Sequence, residues 1–259
     1  MKPPKPPVVL CFSGLDPTGG AGIQADIESI AQHACHAAPI ITAHTVQDTH
    51  NVISFEPVNA NLILKQARAI LDDMPVSAIK IGMLGSSETA EAIYTLLRKH
   101  HEIPVIFDPV LTAGGGSPLF QKNLIDTINA LILPCTYITT PNIPEASMLT
   151  HTEVKAETAA LMLNKRGAKH VLLTGTHSDT TDVIHKLFYN AKEQKTFHYK
   201  RLENEYHGSG CTLASSLAAL IAQEMDLINA CQNALDFTYK SLGNASELGG
   251  GQLIPNRNI

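Results

Sequence analysis

The chain has 259 residues, 44% of them apolar and 17% charged, a balance that belongs to a folded globular protein and excludes disorder as its default state. Nineteen Lys and Arg against twenty-four Asp and Glu give a net charge of −5, and no Lys/Arg run exceeds two residues, which argues against binding to a nucleic-acid backbone. The five cysteines are scattered and never form C-x-x-C, so a reducing compartment without a disulfide framework is expected.

Residues 1–7 are basic and proline-rich and are expected to be flexible. The apolar run behind them is too short for a signal-peptide core, no run reaches membrane-spanning length, and a cytoplasmic location is expected. The first predicted strand is Val8–Ser13, and a glycine-rich loop leads from it into a helix over Gly20–Ala34. Strand Pro39–Gln47 is followed by helix Asn59–Asp72, strand Ala78–Ile81 by helix Ser86–His101, and strand Pro104–Asp108 by helix Lys122–Ala130. Strand Thr136–Thr139, helix Ala156–Gly167 and strand His170–Thr174 continue the alternation. Thr180–Arg201 alternates like an antiparallel hairpin turning at Asn190–Gln194. Helices Gly210–Glu224 and Asp226–Leu248 follow, then a polar C-terminal arm, Gly249–Ile259, expected on the surface. Strands alternating with helices predict an α/β fold with a mostly parallel sheet covered on both faces and an antiparallel edge. Without a linker or repeat, residues 1–259 read as one domain. Ligands of such sheets collect at the carboxyl ends of the strands.

The loops at those ends carry the chemical signals. Ser13–Gly22 imitates a P-loop, but Ala21 stands where Ser or Thr is needed and Gly20 where Lys is needed. Gly20-x-Gly22-x-x-Ala25, with Asp48 as ribose acid, imitates a dinucleotide fingerprint, yet some six residues separate it from the strand end. A tight strand-to-helix turn is the plain alternative. His207-Gly208-Ser209-Gly210-Cys211-Thr212 opens a helix: Gly208, Ser209 and Gly210 can aim backbone N–H groups at one anion. The same field lowers a thiol pKa, so Cys211 is a candidate base or nucleophile, against the reading of a small buried hydrophobe.

Asn142 can cap the helix that Pro144 begins, with Glu145 in its first turn. The competing reading is a Mg²⁺ site in which Asn142 and Glu145 hold the ion through water. Asp108 adds a carboxylate at another strand end, and Leu111–Ser117 a lid or phosphate loop. His33-x-Cys35-His36 and His100-His101 lack metal-ligand spacing, and zinc is rejected.

Together these loops resemble the ribokinase-like superfamily, and within its vitamin kinase branch the hydroxymethylpyrimidine/phosphomethylpyrimidine kinases. Ser13–Asp26, Thr42–Thr49, Lys80–Leu84, Asp108–Val110, Thr140–Ala146 and Gly208–Thr212 carry the likeness in the family's order. The resemblance implies a three-layer α/β/α fold and ATP-dependent phosphorylation of 4-amino-5-hydroxymethyl-2-methylpyrimidine, then of its monophosphate. It places the aminopyrimidine against Gly14, Asp26, Gln47, Met83 and Val110. Cys211 becomes the base, with Gly208, Ser209 and Gly210 stabilising the transferred phosphoryl. ATP falls near Asp108, Asn142, Glu145, Thr174, Gly175 and His177, and Mg²⁺ near Asn142 and Glu145. Relatives are commonly homodimers. Many also carry Lys where this chain has Thr174 and Gly114, so His177, His207 or Lys80 would have to compensate. Pyridoxal or pyridoxine kinase is the nearest alternative. Further off stand a cysteine hydrolase using Cys211 with His177 or His207, and a catalytically silent pyrimidine-binding protein.

Overall fold

The computed structural model describes residues 5–114, 116–121, 123–153, 155–175 and 181–259. The expected flexible start therefore lies partly outside the described residues, as do His177 and the first residue of the predicted hairpin.

Nine strands form one sheet: β1 (Val8–Leu15), β2 (His36–Gln47), β3 (Val52–Pro57), β4 (Val76–Ile81), β5 (Val105–Phe107), β6 (Ile138–Thr139), β7 (His170–Leu173), β8 (Asp182–Tyr189) and β9 (Lys192–Lys200). Their order is β3-β2-β1-β4-β5-β6-β7-β8-β9. Strands β2, β1, β4, β5, β6 and β7 pair in parallel, whereas β3, β8 and β9 are antiparallel. Strand β1 shows why the sheet needs two helical layers. Val8, Leu10 and Phe12 enter one core, Val9 and Cys11 the other, and all five are buried.

The first core packs under α2 (Ala60–Asp73), α3 (Ser87–Leu97), α4 (Leu124–Thr127), α5 (Ile143–Thr150) and α6 (Ala156–Lys165). The second packs under α1 (Gly22–Gln32), α7 (Ser209–Ala222) and α8 (Leu227–Gly243). The three-layer α/β/α arrangement with antiparallel edges is the one expected.

Four differences from expectation have local causes. Strand β3 was absent from the sequence reading. Asp48 Oδ1 accepts from the His50 and Asn51 amides at 2.8 and 3.1 Å, and this tight turn brings Val52–Pro57 back beside β2. The helix expected over Lys122–Ala130 is only α4, continued by a π-helical turn at Ile128–Ile132 and a 3₁₀ turn at Leu133–Cys135, where Pro134 ends the run. The β8–β9 turn needs only Asn190 and Ala191, both at positive φ (47° and 62°), as two-residue hairpin turns require.

The C-terminal segment is the fourth. It does not stand off as an arm: Ile254 and Arg257 are buried, the Leu253 amide donates to the Glu205 carbonyl, and the Asn256 amide donates to Ser241.

Candidate active site

The carboxyl ends of the parallel strands open into a cavity of about 720 Å³, which the loops after β1, β4, β5 and β6 share with the N-terminus of α7 and with residues of β8, β9 and α8. Gly14, Gln47, Met83 and Val110 line one part of it. Asp108, Asn142, Glu145, Thr174 and the run Gly208–Cys211 line another. Most of the residues singled out from the sequence thus share one cavity.

The loop after β1 is built around Asp16. Its carboxylate accepts from the Thr18 amide and hydroxyl at 2.8 and 2.9 Å, from the Ala21 amide at 2.8 Å, and pairs with His207 Nε2 at 2.8 Å. Burial works against ionisation there, yet the bonds from His207 and Thr18 hold the Asp16 carboxyl below the usual range. The turn can close only on glycine. At Gly22 (φ +58°) a Cβ would stand 2.2 Å from the Gly14 carbonyl oxygen, and at Gly208 (φ +76°) 2.0 Å from that of Gly20.

Asn59, Ser86 and Asp226 cap α2, α3 and α8 with side-chain oxygens, whereas α7, like the adjoining α1, starts without a side-chain cap, and its N-cap residue is Gly208. Gly208–Cys211 line the cavity, so the first-turn N–H groups, free of a side-chain cap, are available to an anion there. Cys211 sits among them but does not have the lowered pKa expected of it. Burial pushes the thiol up to about 11, with Asp108 and Asp26 adding to the rise against Lys80 and the Gly22 amide. The helix start alone does not overcome loss of water.

Two carboxylates line the cavity here, and Asp108 is the one against α7, its Oδ2 3.6 Å from where a Cβ on Gly210 would stand. Asp108 Oδ1 accepts from Thr140 Oγ1 at 3.2 Å, while Oδ2 is buried without a partner. Burial raises the group to about 6 against the pull of Lys80. Glu145 rises to about 8 through burial and the Asp108 charge. Asn142 and Glu145 form a reciprocal capping box on α5: the Glu145 amide donates to Asn142 Oδ1 at 2.8 Å and the Asn142 amide to Glu145 Oε2 at 2.9 Å. The capping reading is thus the one observed, and the cap also lines the cavity.

Other expected residues fall elsewhere. Asp26 is fully buried and does not line the cavity. Its carboxylate accepts from Ser13 at 2.6 Å, Ser215 at 2.6 Å and Lys80 Nζ at 2.8 Å. Lys80 is spent on that contact and on Ser13, so it presents no cation to a phosphate in the cavity. Burial disfavours its charge, but Asp26, Cys211 and Asp108 more than offset this and raise the ammonium above the usual lysine range. Gly175 packs against the Ile184 carbonyl instead of lining the cavity. Beside Gly114 the position of a side chain is taken by Gln252, whose Oε1 lies 2.5 Å from where a Cβ would be.

The Asp16–His207 pair, the buried Asp26–Lys80 hub and Gln252 carry no local sequence pattern, and of these only Asp26, His207 and Lys80 stood out in the sequence. Among the described residues no three His, Cys, Asp or Glu side chains gather as a metal site. The unpartnered Asp108 Oδ2 beside Glu145 nevertheless fits a hard cation that keeps most of its waters.

Residues 16–256 match the family model described as Phosphomethylpyrimidine kinase. The chain is 33% identical over 251 residues to the hydroxymethylpyrimidine/phosphomethylpyrimidine kinase of Haemophilus influenzae, with 94% of this chain and 93% of that one covered. It is 30% identical over 254 residues to the protein of that name from Staphylococcus aureus, covering 96% and 92%. A Geobacter sulfurreducens protein named thiamine biosynthesis bifunctional protein ThiED is 35% identical over 247 residues, and this chain covers 94% of its own length but only 50% of that protein. The solved phosphomethylpyrimidine kinase of Clostridium difficile superposes with a TM-score of 0.78 at 29% identity, over 91% of this chain and 98% of that one. The ADP complex of Bacillus subtilis pyridoxal kinase superposes at 0.89 over 98% of both chains, and at 22% identity this is a likeness of fold alone.

Proposed function

Because the chain belongs to the phosphomethylpyrimidine kinase family, we propose that it transfers the γ-phosphoryl of ATP to 4-amino-5-hydroxymethyl-2-methylpyrimidine and then phosphorylates the monophosphate to the diphosphate. The observation that carries this reading is the uncapped start of α7, next to Asp108 in the cavity that the apolar pair Met83 and Val110 also lines.

Each residue has a task in that reaction. The Gln47 amide can donate and accept at once, which suits a ring nitrogen with an adjacent amino group. Met83 and Val110 cover the flat ring. The N–H groups of Ser209, Gly210 and Cys211 receive the charge on the transferring phosphoryl, the kind of fixed donor that stabilises a transition state. A magnesium ion held by Asp108, Glu145 and Asn142, through water, would neutralise phosphate charge there. Cys211 can take the hydroxymethyl proton only as its thiolate, the form that Lys80 and the Gly22 amide favour against burial, Asp108 and Asp26. Neither Thr174 nor Gly114 supplies a cation, and Lys200 is a basic residue on the cavity wall that could.

One nine-stranded sheet carries every wall of the site, which supports reading residues 1–259 as a single kinase domain. Val46 and Ile53, 57% and 73% exposed on the β2–β3 ribbon, support a homodimer. Among the described residues no helix is long and apolar enough to cross a membrane, and five free cysteines support a cytoplasmic location.

The test is ADP release by the purified protein with magnesium ATP and the hydroxymethylpyrimidine, with products followed by phosphorus NMR and pyridoxal as the control alcohol. Mono- and then diphosphate are expected. ADP with pyridoxal alone would replace the substrate, and no ADP with either alcohol would overturn the kinase reading.

A further inference from the structure

Arg257 is among the largest fully buried side chains, at 2% exposure, yet it stands on the irregular segment after α8. A guanidinium leaves water without great cost only where its donors find partners. Here they find them on two loops of the site. Nε donates to Thr212 Oγ1 at 2.9 Å, Nη1 to the Gly19 carbonyl at 3.5 Å and to Glu28 at 3.0 Å, and Nη2 to the Gly20 carbonyl.

Thr212 passes the contact on, since its hydroxyl donates to the Gly208 carbonyl at 2.9 Å. Gly20 and Gly208 are the backbones that touch, close enough to exclude any Cβ at Gly208. The guanidinium therefore lies behind the seam between the glycine loop and the start of α7, and does not itself line the cavity. The same segment supplies the Leu253 carbonyl that accepts from the His207 amide at 2.9 Å.

We infer that Arg257 is a positioning residue for phosphoryl transfer: its planar fork sets the spacing of the Gly19–Gly20 and Gly208–Thr212 backbones and so the aim of the Ser209–Cys211 N–H groups. This rests on the kinase reading. A lysine could supply the charge but not the three-way fork.

The experiment compares Arg257→Ala, Arg257→Lys and Ile93→Ala, the last a buried substitution on α3 under the other face of the sheet, in the full chain. Because an offset of about 1 Å at a catalytic group can cost about 100-fold, kcat of Arg257→Ala should fall on the order of 10-fold to 100-fold. KM for the alcohol should stay within about 2-fold, since its pocket is untouched. Methylguanidinium should restore much of the loss where methylammonium does not, and Arg257→Lys should remain low.

An unchanged kcat, or a fall that methylguanidinium does not rescue and Ile93→Ala reproduces at equal loss of Tm, overturns the inference. If Arg257→Ala does not fold, Thr212→Val decides by the same split between kcat and KM. Should the wild type itself release no ADP, the kinase reading fails separately. Hydrogen exchange then decides: Arg257→Ala must speed exchange at Ser209–Cys211 well beyond Ile93→Ala, and equal rates overturn the inference.

Discussion

Helices α5 and α7 both begin on the cavity wall, and they treat their first-turn amides in opposite ways. Helix α5 closes on itself, with Asn142 and Glu145 satisfying each other's backbone. Helix α7 begins at a left-handed glycine with no side-chain cap. The first terminus is closed by its own side chains, and the second leaves its first-turn N–H groups to a ligand or to water. Stability and binding are thus divided between two helix starts that share a cavity, and substitutions at them should separate the two properties.

The largest effect is expected at α7. Gly208→Ala forces a Cβ to within 2.0 Å of the Gly20 carbonyl oxygen, so turnover should drop by about 100-fold or more, measured as ADP release, even in protein that is folded by circular dichroism. Retained turnover would mean that the α7 start is not the phosphoryl site. Cys211→Ser should lose about 100-fold in kcat while still binding the alcohol in calorimetry. With its thiol near 11 before ligands arrive, Cys211 should react slowly with iodoacetamide at neutral pH and faster as pH rises. Rapid labelling at pH 7 would contradict the burial that sets this value.

At α5 the effects should fall on stability. Asn142→Ala removes half of the capping box and should cost about 1 kcal/mol in denaturant unfolding, with a smaller loss of turnover than at α7. The pH dependence follows from Glu145, whose carboxyl rises from 4.5 to about 8 on folding. The folded state holds that proton longer than the unfolded chain does, so stability is greatest below about 4.5 and falls as pH rises toward 8. Glu145→Gln should flatten that fall in Tm across the same window, and an unchanged slope would assign it to other groups.

The parallel strands were legible because each is a short β-branched apolar run that ends in glycine, Asp or Thr, and β1 is apolar on both faces. Strand β3 was not, because a short run of six residues with polar Ser54 and Glu56 and closing on Pro57 reads like a loop until Asp48 turns it back. The glycine runs announced the cavity, since close backbone contact needs them. Side-chain direction was not legible. Asp26 sits one helix turn from the glycine loop yet points down to Lys80. Arg257 reaches Gly20 across 237 residues, a contact without local pattern. Cys211 was read from the field of its helix, whereas burial decides its proton.

The most direct measurement of the division between the two termini is the amide NMR shift of Ser209, Gly210 and Cys211 beside that of Asn142 and Glu145 during titration with magnesium ADP and the alcohol. The α7 amides should shift strongly and lose exchange with water, while the α5 amides should move no further than magnesium alone moves them. Movement at Asn142 and Glu145 with no change at Ser209–Cys211 would contradict the assignment of the phosphoryl site to α7.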